Sequence, residues 1–222
     1  MNYELVISDW DGVLLDSLAL YYRAVEEIFR EYGIKPPSLE EYRNNISPDF
    51  MQFYKERGFP PSATSQGLNA IRKRYFEAHW QEVQLRAGAR ELLTFCNRSK
   101  IIVFLATSEV YEIGLRRFND LRIRHLIHGW ARGGNSRYED LADILACASG
   151  ISRNVYGATL YLDDTGSGIK QAKSKHLRLK TVGVNGGFNS REAIEAAKPD
   201  FIVSSPHEVI VILERGQVGN EG

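Results

Sequence analysis

The sequence predicts an α/β fold: an open, Rossmann-like parallel sheet with helices on both faces and an inserted all-helical block. Three observations lead there. Short apolar runs of strand length recur along the 222-residue chain, most of them followed by a stretch with helical spacing. Three of these runs end in polar residues, as strands do where a parallel sheet opens onto a ligand crevice. The long segment after the first run holds no convincing strand.

The first run is Glu4-Leu5-Val6-Ile7-Ser8, ending at Asp9. From Ser17 to Tyr32, Leu18, Tyr21, Tyr22, Val25, Ile28 and Phe29 fall on one helical face, and Gly33 stops the helix. Ser38 with Glu41 reads as a capping box for the next helix. Helical spacing continues to about residue 85, broken at Pro60-Pro61. Aromatics at such spacing, including Tyr42, Tyr54 and Trp80, belong more often to a core than to a pocket.

After Gly88 the rhythm alternates. A helix over 89–97 precedes a strand over Ile101–Ala106, which ends at Thr107-Ser108. Helices follow over 111–119 and 138–148. A strand over Thr159–Leu162 ends at Asp163-Asp164, and a helix covers 167–174. Strands over 181–184 and 201–203, helices over 190–197 and 207–214, and a frayed tail from Gly216 complete the chain. The expected organisation is a core built from 1–17 and 86–222, with a helical cap over 18–85 and hinges near Ser17 and Ala87.

Composition narrows the function. Lys plus Arg number 28 and Asp plus Glu number 28, so no global field draws the chain to nucleic acid or anionic lipid. No apolar stretch approaches the roughly 20 residues that span a bilayer, and no leader-like segment opens the chain. Cys96 and Cys147 read as buried thiols, which suits a reducing, cytoplasmic compartment. The expected partner is a small metabolite, with neither nucleic acid nor membrane, for a monomer or homodimer.

The chemistry should lie at the strand ends. An Asp after a strand is often only a turn or cap residue. Four such carboxylates, Asp9, Asp11, Asp163 and Asp164, at two strand ends are harder to dismiss. Gathered together they repel unless a cation lies between them, and a hard cation held by carboxylates suggests Mg2+.

Val6-Ile7-Ser8-Asp9-Trp10-Asp11-Gly12-Val13-Leu14-Leu15-Asp16-Ser17 closely resembles the first motif of the haloacid dehalogenase-like hydrolases. The downstream stretches Lys180 to Asn189 and Lys198 to Val203 resemble members similar to phosphoglycolate phosphatase. The resemblance implies that Asp9 forms an aspartyl-phosphate and that Asp11 protonates the leaving alkoxide and then activates water. It implies Mg2+ on Asp9 and the backbone carbonyl of Asp11, with Asp164 and Asp163 as further ligands. Thr107, with Ser108 beside it, would bind phosphate.

Two departures stand out. The fourth motif is usually Gly-Asp-x-x-x-Asp, whereas here Asp163 replaces its Gly and Gly168 its second Asp. The third motif should supply a Lys, yet no Lys lies between Lys100 and Lys170. Arg137 falls near that position as a catalytic and phosphate-binding cation, with a solvated surface residue as the alternative. Arg132, Lys170 or Lys173 are the other candidates. The leading expectation is a magnesium-dependent phosphatase of a small phosphorylated metabolite. A phosphomutase of the β-phosphoglucomutase type and a degenerate, non-catalytic binding protein are the alternatives.

Overall fold

The computed structural model describes residues 3–45, 50–107, 111–130, 158–174 and 179–218, and four positions between 144 and 150. Six parallel strands form one sheet in the order β3-β2-β1-β4-β5-β6. They are β1 (Leu5–Asp9), β2 (Ile102–Ala106), β3 (Gly129–Trp130), β4 (Thr159–Asp163), β5 (Leu179–Val184) and β6 (Phe201–Val203). The chain steps outward from β1 to β2 and β3, then returns to the other side of β1 for β4, β5 and β6. The order therefore reverses beside β1, where crevices form in open parallel sheets.

Alternation explains why the central strands read as continuous apolar runs. Val6, Val103, Leu105, Leu160, Leu162, Val182 and Val184 pack into one cluster. Leu5, Ile7, Ile102, Phe104, Ala106 and Tyr161 pack into another. Both faces are covered, as parallel sheets require. On the first face lie α5 (Ala89–Arg98) and the last helix, α9 (Pro206–Val218), through Leu92, Leu93, Cys96, Val209 and Leu213. On the second, Ala172 of α7 (Gly166–Ser174) joins Ile144, Leu145 and Ala148. Burial pushes the Cys96 thiol up to about 12, so it stays neutral.

Between β1 and α5 lie α1 (Leu18–Glu31), α2 (Leu39–Asn45), α3 (Phe50–Lys55) and α4 (Ser65–His79), with a 3₁₀ turn at Trp80–Glu82. Val25, Ile28, Phe29, Tyr42, Phe53, Tyr54, Phe59, Leu68 and Ile71 form a third cluster, which Phe188 joins from outside the block. The capping box forms in both directions: the Ser38 amide donates to Glu41 Oε2 at 2.7 Å and the Glu41 amide to Ser38 Oγ at 3.2 Å. The two chain crossings into this helical block run side by side, because the Asp16 amide donates to the Gln84 carbonyl and the Arg86 amide to the Leu14 carbonyl.

Two expectations needed correction. The two-residue strand β3 is an addition to the five expected strands. The last helix does not stop at 214 but runs through Gly216 to Val218. A helical glycine costs only about 1 kcal/mol, so Gly216 does not by itself end the helix. The remaining helices are α6 (Tyr111–Asp120), where one was expected, and α8 (Arg191–Ala196), capped by Ser190. The expected helix over 138–148 and Cys147 lie largely outside the described residues. Among the described residues no helix is long and apolar enough to cross a membrane.

Candidate active site

Strand register gathers the acidic residues. Ser8 pairs with Leu162, so Asp9 and Asp163 end neighbouring strands at one level. On the other side Asp9 pairs with Ala106, which brings Thr107 to the height of Trp10. One carboxylate oxygen from each of Asp9, Asp163 and Asp164 lies within 4.8 Å of the others. Asp9 is 3% exposed and the other two are fully buried.

The loop after β1 is pinned from below. Trp10 points away from the carboxylates into the core and meets Phe118 edge-on, with ring centroids 5.0 Å apart. Its amide donates to Asp9 Oδ1 at 2.7 Å. The turn closes with Leu14 and Leu15 amides on the Trp10 carbonyl. Gly12 has φ +78° and lies against Asp164 and Phe188, where a Cβ would come 2.8 Å from Asp164 Cγ and Phe188 Cδ2.

Asp163 is held by three donors: the Tyr161 hydroxyl at 2.6 Å, the Thr165 amide at 2.8 Å and the Thr165 hydroxyl at 2.7 Å. Asp164 Oδ2 accepts the Phe188 amide. Asp11 leaves the triad with its side chain, and its Oδ2 accepts the Tyr21 hydroxyl at 3.2 Å. Asp11 Oδ1 is buried and has no hydrogen-bond partner among the described residues.

The fourth-motif departure acquires a physical reason here. A Cβ on residue 168 would come 2.7 Å from Asp163 Oδ1 and nearer still to Oδ2. The Asp163 carboxylate occupies the space that a side chain at 168 would need.

The sequence profile of the haloacid dehalogenase-like hydrolases matches residues 6–132, more than half of the chain. The chain belongs to the haloacid dehalogenase-like hydrolase family. Among curated members, it is 25% identical to a phosphorylated carbohydrates phosphatase of Thermotoga maritima, over 95% of this chain and 98% of that one. It is 22% identical to a phosphoglycolate phosphatase of Pseudomonas fluorescens, over 93% of this chain and 78% of that one. CbbY from Rhodobacter sphaeroides, solved in complex with phosphate, shares the fold with a TM-score of 0.69 and 22% identity, over 93% of this chain and 96% of that one.

Within this haloacid dehalogenase-like hydrolase, the structure brings Asp9, Asp163 and Asp164 together, while the Asp11 carboxylate lies outside that cluster on the Tyr21 hydroxyl and a buried Thr107 follows β2. Ser108, Arg132 and Arg137 lie outside the described residues. Lys170 is exposed on α7, and the exposed Lys173 donates to the Lys198 carbonyl.

Two features escaped the sequence reading. Arg86 reaches from the second crossing to the carbonyls of Gly12 and, at 2.8 Å, Asn185. Burial lowers its pKa, while Asp164 and Asp16 oppose that shift. From α2, Arg43 donates to the Asn189 carbonyl at 2.8 Å, and Asn189 in turn caps α7 by accepting the Gly166 amide at 2.9 Å. Sequence offers no signal for either, since each joins residues far apart in the chain.

Proposed function

We propose that the chain is a magnesium-dependent phosphatase of a small phosphorylated metabolite, acting through an aspartyl-phosphate on Asp9. The observation that carries this reading is the trio of buried carboxylates of Asp9, Asp163 and Asp164, drawn within 4.8 Å of one another. Buried like charges at that spacing call for a cation, and oxygen-only donors suit a hard one. The Asp9 and Asp164 carboxylates would hold Mg2+, with Asp163 and the Asp11 carbonyl beside them. Bound there, the ion would offset the charge of the nucleophile and the phosphoryl group. The curated relatives, a phosphorylated carbohydrates phosphatase and a phosphoglycolate phosphatase, support phosphate esters of small metabolites as the substrate class.

The residues divide the work. Asp9, fixed by the Trp10 amide, attacks phosphorus, and the ester oxygen leaves. Asp11 gives that oxygen a proton, then takes one from the water that cleaves the acyl phosphate. Thr107 steadies a phosphoryl oxygen from the end of β2. The helices of 18–85 serve as a cap over the crevice. Phe188 supports this role, because it packs into their apolar cluster while its amide holds Asp164.

The test is hydrolysis of p-nitrophenyl phosphate with and without magnesium, for the wild type and Asp9→Asn. Magnesium-dependent turnover that Asp9→Asn abolishes is expected. Wild-type turnover no faster than that of the variant overturns the enzyme reading.

A further inference from the structure

We propose that Tyr21 is a positioning residue that fixes which oxygen of Asp11 handles the proton. The proposal rests on the phosphatase reading and adds a residue to it. The Tyr21 hydroxyl donates to Asp11 Oδ2 at 3.2 Å. Asp11 Oδ1 is buried with no hydrogen-bond partner among the described residues. The two oxygens of one carboxylate are therefore unequal.

The inequality has a chemical consequence. A protonated carboxyl group has one hydroxyl oxygen and one carbonyl oxygen. A donor on Oδ2 favours Oδ2 as the carbonyl and places the acidic proton on Oδ1. In the first half-reaction an Asp9 oxygen bonds to phosphorus, the ester P–O bond breaks, and the leaving oxygen takes the proton from Oδ1. In the second, a water oxygen bonds to phosphorus, the Asp9–phosphate bond breaks, and the water proton returns to Oδ1. The Tyr21 proton stays on Tyr21 throughout.

The Tyr21 ring is seated firmly enough for this task. It meets Phe76 of α4 edge-on with centroids 4.5 Å apart, and Phe188 with centroids 5.1 Å apart. Two such contacts fix a side chain with only two rotatable bonds. Tyr21 stands on the first turn of α1, four residues past the chain crossing at Ser17. The hydroxyl thus joins the helical block to the acid, and the hold depends on that block lying over the crevice.

The experiment compares wild type and Tyr21→Phe on two esters of similar shape, p-nitrophenyl phosphate and benzyl phosphate. The nitrophenolate departs with little protonation, whereas the benzyl alkoxide needs it. The value of kcat/KM reports phosphoryl transfer to Asp9 and not later hydrolysis. We expect Tyr21→Phe to lose about tenfold or more on benzyl phosphate and under about threefold on p-nitrophenyl phosphate. The ratio of the two rates in one sample does not depend on the folded fraction. A ratio that shifts by less than about threefold, whether both rates fall or neither does, overturns the positioning role. Wild-type turnover that does not depend on Asp9 overturns the phosphatase reading itself, and the proposal with it.

Discussion

Gly168→Ala is expected to damage the site through Asp163, a residue five positions away. The backbone at 168 is held in α7, where its amide donates to Thr165 Oγ1 at 3.1 Å. The new methyl group would come 2.7 Å from Asp163 Oδ1 and closer to Oδ2, whereas ordinary contact begins at 3.4 Å. The carboxylate must swing away and give up at least one of its bonds from Tyr161 and Thr165. A hydrogen bond to a charged group contributes about 1.5–3 kcal/mol, and overpacking costs about 1–3 kcal/mol. A net loss of about 3 kcal/mol lowers Tm by roughly 6–12 °C in a chain of this size. Calorimetry reads that shift, and magnesium titration of turnover should show a weaker half-saturation. The double variant Asp163→Gly/Gly168→Asp moves the carboxylate from the strand end to the helix and should recover at least half of the lost stability. A Gly168→Ala protein that melts within about 2 °C of wild type would refute the steric reasoning.

Arg86→Ala should lower Tm and kcat together, by about 2 kcal/mol in stability, because the carbonyls of Gly12 and Asn185 lose a shared donor. Arg86→Lys should restore less than half of either, since an ammonium cannot reproduce the fork, and thermal melts with steady-state kinetics decide both. Asp200 gives a pH-dependent case. Burial raises its carboxyl pKa, but Lys180 at 2.8 Å and the Thr181 amide and hydroxyl outweigh that and leave it below the usual carboxylate value. A depressed carboxylate stabilises the fold above its unfolded pKa of about 4, and that contribution is lost as pH falls through the folded value. Melts across pH should therefore show Asp200→Asn about 2–4 °C below wild type at neutral pH, with the gap closing below roughly pH 4.

The parts of the molecule that sequence revealed are those that local physics dictates. β1, β2, β4, β5 and β6 are apolar runs bounded by polar residues, and each forms a strand. β3 escaped because Gly129 and Trp130 carry no alternation; pairing with Phe104 and Leu105 alone makes them a strand. Gly216 was expected to begin a frayed tail, yet α9 runs through it to Val218, since one helical glycine costs only about 1 kcal/mol. Asp9, Asp163 and Asp164 were legible because the ends of parallel strands converge. Tyr21, Phe188 and Arg86 were not, because their roles appear only when α1, the loop after β5 and the second chain crossing meet around the β1 turn. The reason for Gly168 was equally hidden: sequence shows a missing Asp, and only the packing shows Asp163 filling its place.

The central claim is that phosphate passes through the Asp9 carboxylate. The direct measurement is acid quenching of the enzyme during turnover of p-nitrophenyl phosphate, borohydride reduction, and peptide mass spectrometry. Reduction of an acyl phosphate turns aspartate into homoserine. The account predicts homoserine at position 9, only when substrate and magnesium are both present and never in Asp9→Asn. Sustained wild-type turnover with residue 9 unmodified, or with the modification on Asp11, Asp163 or Asp164 instead, would contradict it.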